Sequence, residues 1–312
     1  MNEILSKIDC ARHIVVISHV NPDADSIGSA SAMYSYLLQK QKKVSWFCKT
    51  KNISQKLLFM PWSEKIRDSF PSSADLAISL DCADRTRLGV EIGCDLINID
   101  HHKSNNNFAA INLVQSDSIS TTEVLYDFFK ANAVKINKKM ATAIYAGLLD
   151  DSDAFLSDKV DGTTFATIQE LIKEGADFQL CNKNIIKSTS LASLRLKALM
   201  LKNMELECSA RVAVFCVSGE DMKSTGAVYK DCEGALEESL YLPHVEVAVL
   251  LKQNSDLTIK ASIRSKDSVD ASKIALNFGG GGHMSRAGFH ILSRITLENA
   301  KIEVLNLIKK EM

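Results

Sequence analysis

Residues 13–18 (HIVVIS) are short, β-branched and uninterrupted by polar positions, the pattern of a buried strand. A polar loop follows, and the helical spacing of residues 26–41 predicts a helix with Ser26 as its cap. Residues 44–48, 76–80 and 95–99 are further strand candidates, and the last two each run into an Asp. Helical patterns dominate residues 121–130, 138–149 and 163–175. Strands alternating with helices predict an α/β domain with a mostly parallel, doubly wound sheet over residues 1–185. Residues 188–206 read as one helix, which sets a helical linker at 186–206. Beyond it, residues 212–217, 245–251 and 257–263 read as strands, and 227–239, 271–277 and 297–308 as helices. They predict a smaller C-terminal α/β domain, residues 207–312, with a mixed sheet.

The length of 312 residues suits two domains of about 150 each. Hydrophobic residues make up 46% and charged residues 24%, an ordinary globular balance. Lys and Arg number 37 against 38 Asp and Glu, a net charge of -1, which argues against a strongly basic binder of long duplex DNA. The longest apolar run is the six residues 212–217, with five more at 247–251, far short of the ~20 a membrane span needs. The first ten residues carry charges and no apolar core, so no signal peptide is expected. Eight scattered cysteines without a CxxC pair fit reduced thiols and a cytoplasmic chain.

Hard metal ligands fall where the strand pattern ends. His19, Asp23 and Asp25 lie in SHVNPDADSIGS directly after the first strand. Asp81 closes LAISLD, and Asp100, His101 and His102 close LINID and run on from it. Asp150, Asp151 and Asp153 follow the helix AIYAGLL. In an open α/β sheet the carboxyl ends of the strands line one crevice, so four segments deliver carboxylates and imidazoles to a single rim. Such a mixture suits divalent ions: carboxylates favour Mn²⁺ or Mg²⁺, and imidazoles extend the range to Fe²⁺, Co²⁺ and Zn²⁺. Cys82 should face away from the site by strand alternation, and Asp23 and Asp25 share a face if their loop is extended. Two ions ~3.5–4 Å apart, bridged by a carboxylate and a water, generate hydroxide and clamp a phosphoryl group. The helix opening at residues 26–29 adds free N–H groups for a phosphate.

HVNPDADSIGS, the Asp of SLDCAD, the Asp100-His101-His102 triplet and GLLDDSDAF resemble the four motifs of the DHH phosphoesterase superfamily. FGGGGHMSRAGF, residues 278–289, resembles the glycine-rich signature of its C-terminal DHHA1 domain. The two-domain layout is similar to the NrnA-like branch, the nanoRNase and pAp phosphatase proteins. The resemblance implies that His19 and Asp23 hold one ion, that Asp25, His101 and Asp151 hold the other, and that Asp81 bridges both. It implies that His102 contacts the scissile phosphate while Asp100 orients an imidazole. The family's Ser-Ser-Thr-x-Glu appears as Ile119-Ser120-Thr121-Thr122-Glu123, with Ile119 departing; Ser120, Thr121 and Asn105 of HHKSN are candidate substrate contacts. Where the family usually has Thr-Asp-Thr-Gly, this chain has Asp150-Asp151-Ser152-Asp153; alignment on Gly147 and Phe155 selects Asp151, with Asp150 and Asp153 as competitors.

In the C-terminal domain four consecutive glycines disfavour regular structure, and their N–H groups can approach an anion as a nest. Gly280, Gly281, Gly282 and His283 are the expected seat for the end of a short nucleic acid, with Gly279 beside them. Arg264 resembles the Arg of the family's S-x-R-S segment and offers bidentate phosphate contacts. Arg286 departs from the family's small residue; it adds a phosphate contact or lies at the surface. Aromatic residues are only 6%, so recognition should rest on phosphates and ribose with limited stacking.

These readings predict a metal-dependent phosphohydrolase with two divalent ions, Mn²⁺ first and Mg²⁺, Co²⁺ or Fe²⁺ after it. The resemblance implies that it cleaves very short RNA to mononucleotides and 3′-phosphoadenosine 5′-phosphate (pAp) to AMP, by in-line attack of a bridging hydroxide. The expected partners are short single-stranded RNA, pAp or dinucleotides; a homodimer is allowed, and long duplex DNA and membranes are not expected. The alternatives are a cyclic or linear dinucleotide phosphodiesterase, an inorganic pyrophosphatase and a non-catalytic nucleotide or RNA binder. The glycine run argues against the pyrophosphatase, and the intact ligand set against the binder.

Overall fold

The aliphatic stretch at residues 14–17 forms the middle of β1 (His13–Ser18), whose six residues are all buried. A strand with no polar face belongs inside a parallel sheet covered on both sides. The chain, described in a computed structural model at residues 2–254, 256–266 and 269–312, divides between Ser188 and Thr189 into two units.

In the first unit, α1 (Asn2–Cys10) precedes β1, and α2 (Ala24–Gln39), β2 (Lys43–Phe47) and β3 (Ile66–Arg67) follow. Then come β4 (Leu76–Leu80), β5 (Asp95–Asp100), β6 (Ile111–Val114), α3 (Thr121–Ala131), α4 (Lys138–Asp151), α5 (Gly162–Lys173) and α6 (Phe178–Ile185). The sheet order is β3-β2-β1-β4-β5-β6, and every pairing is parallel. The order reverses between β1 and β4, the switch point at which the loops after neighbouring strands part and leave a crevice. The residues just past β1 and β4, and those at the end of β5, are His19, Asp81 and Asp100.

The helix after β1 starts at Ala24 rather than Ser26. Asp23 is its cap, accepting the Ser26 N–H at 3.0 Å, a role that leaves the Ser26 hydroxyl, three residues further on, inside the helix. The expectation that Asp23 and Asp25 share a face of an extended loop therefore fails: Asp25 sits in the first helical turn. Residues 24–37 of α2 are all buried, and this helix packs on α4. The two approach closely because Gly28 and Gly147 lie at the contact. A Cβ on Gly28 would stand 2.5 Å from the Ala143 carbonyl, and one on Gly147 2.6 Å from Asp25 Oδ1.

In the second unit α7 (Leu191–Lys202) is capped by Ser190 and is shorter than the helix expected over 188–206. It is followed by β7 (Glu205–Glu207), β8 (Val212–Val217), α8 (Gly219–Thr225), α9 (Glu233–Ser239), β9 (Val247–Gln253) and β10 (Ile259–Ser265). The chain closes with α10 (Ala271–Leu276), β11 (Gly281–Gly282), β12 (Arg286–Ile291) and α11 (Leu297–Glu311). The sheet order is β11-β12-β10-β9-β8-β7. Among the described residues only β8 and β9 pair in parallel here, so the sheet is mixed. Residues 227–239 do not form one helix: a 3₁₀ turn at Tyr229–Cys232 precedes α9, with the Val228 N–H on Asp231 Oδ2 at 2.7 Å. Among the described residues no helix is long and apolar enough to cross a membrane.

Candidate metal centre

Asp81 leaves β4 with φ of 62°, a left-handed conformation that a non-glycine residue holds only when its surroundings enforce it. The Asp81 N–H on the Ile99 carbonyl at 3.0 Å and the Thr121 hydroxyl on Asp81 Oδ1 at 2.9 Å do so. The bend sends Cys82 into a buried cluster with Val15, Ile17 and Phe47, away from the crevice. The Asp81 carboxylate is then offered on two sides. Its Oδ2 lies 3.3 Å from His19 Nε2, while its Oδ1 lies 3.6 Å from both His101 Nε2 and His102 Nδ1.

Around it the ligand atoms fall into three groups, each within 4.8 Å: His19, Asp23 and Asp81; Asp81, His101 and His102; and Asp25, His101 and Asp151. His19 Nδ1 pairs with the Val20 carbonyl at 2.8 Å, which turns Nε2 towards Asp23 and Asp81. That Nε2 is buried and has no hydrogen-bond partner among the described residues. A buried nitrogen facing carboxylates without a hydrogen bond is a position that a divalent cation satisfies, and His101, 3.2 Å from Asp151 Oδ2, faces the cluster in the same way. The donor set of carboxylate oxygens and imidazole nitrogens therefore fits divalent metal ions.

Asp25 of α2 is wholly buried, and its two oxygens accept the Thr121 and Thr122 N–H groups at the start of α3 at 2.7 and 2.9 Å. Burial and the negative charges of Asp81 and Asp23 raise its carboxyl well above the usual range. Asp151 is raised by burial and by the same neighbours with Asp25, to about 10. Burial works against a proton on His19, yet Asp23 and Asp81 outweigh it and hold the imidazole up at about 9. The reverse of that pairing brings Asp23 to about 2 despite burial. Excess negative charge thus runs through the whole cluster, and a dication relieves it.

Of the three neighbouring aspartates it is Asp151 that reaches His101. Asp150 accepts the Ala24 N–H at 3.1 Å and so completes the start of α2, and Asp153 is exposed. Asp100 is buried between His102 Nδ1 at 2.8 Å and the Asn105 amide at 2.6 Å. Its hydrogen bond raises the His102 imidazole above its ordinary value.

Several candidate substrate contacts are placed otherwise than expected. Ser120 and Thr121 are fully buried. Ser120 caps α3 and Thr121 bonds Asp81, so both position the cluster rather than face a substrate. Asn105 donates to Asp100 and to the Cys82 carbonyl, which commits its amide nitrogen. In the second unit Arg264 is paired with Glu233 at 2.6 Å and lies 3.9 Å from Glu237, while Arg286 meets Glu237 at 2.7 Å. The glycine run is not wholly a loop. Gly281 and Gly282 form β11 against Gly288 and Ala287, and His283 and Arg286 close the tight turn at its end. A Cβ on Gly280 would lie 2.3 Å from the Gly288 carbonyl, so packing alone requires that glycine. His283 is exposed.

Arg87 was missed by motif reading. Its carbonyl accepts the Val20 N–H at 2.9 Å, its charge lowers the Asp23 carboxyl, and its Nε is buried without a hydrogen-bond partner among the described residues. Only the Arg itself, six residues beyond Asp81, could have pointed to it.

Comparison with known proteins gives the same division. Residues 13–148 match the N-terminal domain of the DHH family, and residues 210–312 match the DHHA1 domain. The chain is 28% identical to a bifunctional oligoribonuclease and PAP phosphatase NrnA of Thermus thermophilus, over 96% of this chain and 90% of that one. It is 25% identical to a probable protein of the same description from Streptococcus mutans, over 98% of each. A crystal structure of an exopolyphosphatase-related protein from Bacteroides fragilis superposes with a TM-score of 0.89 at 25% identity, covering 99% of this chain and 95% of that one.

Proposed function

The chain belongs to the DHH phosphoesterase family, in its NrnA-like branch with a DHHA1 domain, and from that premise we propose that it hydrolyses very short RNA to mononucleotides and pAp to AMP. The observation that carries the reading is the Asp81 carboxylate, with one oxygen turned to His19 and the other to His101 and His102. A carboxylate so disposed suits a bridge between two ions, Mn²⁺ being the first choice for this oxygen and nitrogen set. His19 and Asp23 would hold one ion, Asp25, His101 and Asp151 the other, and Asp81 both. Two such ions supply an activated water and neutralise charge on the phosphoryl oxygens.

The protein's own groups do the rest. Asp100 fixes the His102 ring by its bond to Nδ1, leaving Nε2 to donate to a phosphoryl oxygen. Thr121 and the α3 N–H groups hold Asp81 and Asp25 in place before substrate arrives. Residues 1–185 are read as the catalytic domain and 207–312 as the domain that holds the substrate's end, through Arg264, the glycine N–H groups and His283. Eight unpaired cysteines support the cytoplasm as its place.

The test is a panel with added Mn²⁺: pAp, di- to decaribonucleotides, pyrophosphate and cyclic dinucleotides, with the products identified. Turnover of pAp and of the shortest RNAs, falling with length, is expected. Cleavage of pyrophosphate alone, or of cyclic dinucleotides alone, would replace the proposal.

A further inference from the structure

A cleft of about 510 Å³ opens beyond the carboxyl ends of β2 and β3, lined among others by Thr50, Asn52, Ile53, Gln55, Leu58 and Arg67. Its volume falls within the ~300–1,000 Å³ usual for small-molecule sites. Two contacts join its wall to the metal-site loop: the Asn21 N–H donates to Thr50 Oγ1 at 2.7 Å, and Cys48 Sγ to the His19 carbonyl at 3.5 Å. Asn21 stands between His19 and Asp23, so the cleft begins where the candidate ligands of one ion end. Ile53 and Leu58 supply apolar wall, Asn52 and Gln55 supply amide donors and acceptors, and Arg67, whose Nη1 donates to the Glu64 and Ile66 carbonyls, supplies a cation beside the Lys51–Asp68 pair. That combination suits a nucleobase with its ribose.

We propose that this cleft is the subsite for the second nucleoside of an oligonucleotide, the one esterified through its 5′ oxygen to the phosphate under attack. The inference rests on the proposed function. In pAp a water oxygen adds to phosphorus, the P–O3′ bond breaks, and the 3′ oxygen leaves with its electron pair and takes up a proton, giving AMP and inorganic phosphate. In a dinucleotide the same bond breaks, but the phosphorus also carries a 5′ ester. During in-line displacement the entering and leaving oxygens are opposed, so that ester oxygen is one of the three equatorial ones. The second nucleoside therefore projects sideways along the rim, and pAp has nothing to place there. The cleft is thus a specificity determinant that serves RNA and not pAp.

The experiment compares the wild-type chain with Asn52→Trp and Gln55→Trp, each filling the cleft from an exposed position that is not one of the candidate metal ligands. With Mn²⁺ present, KM for a 5′-phosphorylated diribonucleotide should rise about tenfold or more while kcat/KM for pAp stays within about twofold. Arg67→Ala adds no bulk and guards against misfolding; it should raise the dinucleotide KM about threefold, again sparing pAp. Parallel losses on both substrates, or none on either, overturn the subsite. A wild-type chain that hydrolyses neither substrate overturns the proposed function instead.

Discussion

Asp23, Asp25, Asp81 and Asp151 converge in the first unit, and among the described residues no Lys or Arg comes within ion-pair distance of them. In the second unit Arg264 and Arg286 are each met by a carboxylate of α9. The first cluster carries unbalanced charge and is suited to a cation from solution. The second is balanced by the Glu233 and Glu237 carboxylates, so an anion that meets these arginines would compete with them. Charge that is left over recruits a ligand directly, whereas charge already paired makes ligand binding a competition.

The largest effect should come from removing the shared vertex of the first cluster. Asp81→Ala takes a ligand from two of the three groups at once. Lewis-acid stabilisation is several kcal/mol, so turnover of pAp and dinucleotides alike should fall about a thousandfold or more. Metal content measured by elemental analysis should fall with it. Retained turnover would show that the carboxylate is no bridge.

A smaller effect, with two signs, is expected in the second unit. Arg264→Ala should raise KM about tenfold with metal content unchanged, the loss expected for one charge-assisted contact. Glu233→Gln keeps the shape of its partner and removes its charge, so KM should fall by about threefold. If Glu233→Gln raises KM as Arg264→Ala does, the carboxylate braces the arginine for substrate and does not compete with it.

The sequence made the first cluster easier to read than the second, for a physical reason. β1, β4 and β5 are short, mostly apolar and buried, so the His or Asp that closes or follows each one stands out, and the topology of a parallel sheet carries those ends to one rim. What packing decides was not legible. Asp150, Asp151 and Asp153 are alike in type, and the close crossing of α2 and α4 at Gly28 and Gly147 gives them different tasks. Ser120 and Thr121 carry the right residue types at the right place, yet their hydroxyls turn inward to Thr122 and to Asp81. Glu233 lies 31 residues from Arg264, so no local pattern announces the pair. The two-residue β3 and β11 are too short to show a period, and Gly281 and Gly282 pair through backbone alone.

The same contrast sets how stability responds to pH when divalent ions are removed. In the first unit Asp151 is raised to about 10 and Asp25 well above the ordinary range, so the folded chain binds protons that the unfolded chain has released above about pH 4. Stability from these carboxyls therefore declines as pH rises. His19, raised to about 9, adds stability that is complete below about pH 6.5 and is lost as pH passes through about 9. Both contributions fall in the same direction between pH 5 and pH 9. A unit of this size loses about 2–4 °C in Tm for each kcal/mol, so the chelated protein should melt several degrees lower at pH 9 than at pH 5. Saturating Mn²⁺ should remove that slope, because ion binding displaces the same protons and strengthens as pH rises. Asp151→Asn, which takes away one of these raised carboxyls, should flatten the slope of the chelated protein, whereas Arg264→Ala in the second unit should leave it unchanged. A slope of unchanged size in Asp151→Asn would exclude the Asp151 carboxyl as a source and leave Asp25 and His19 to account for it.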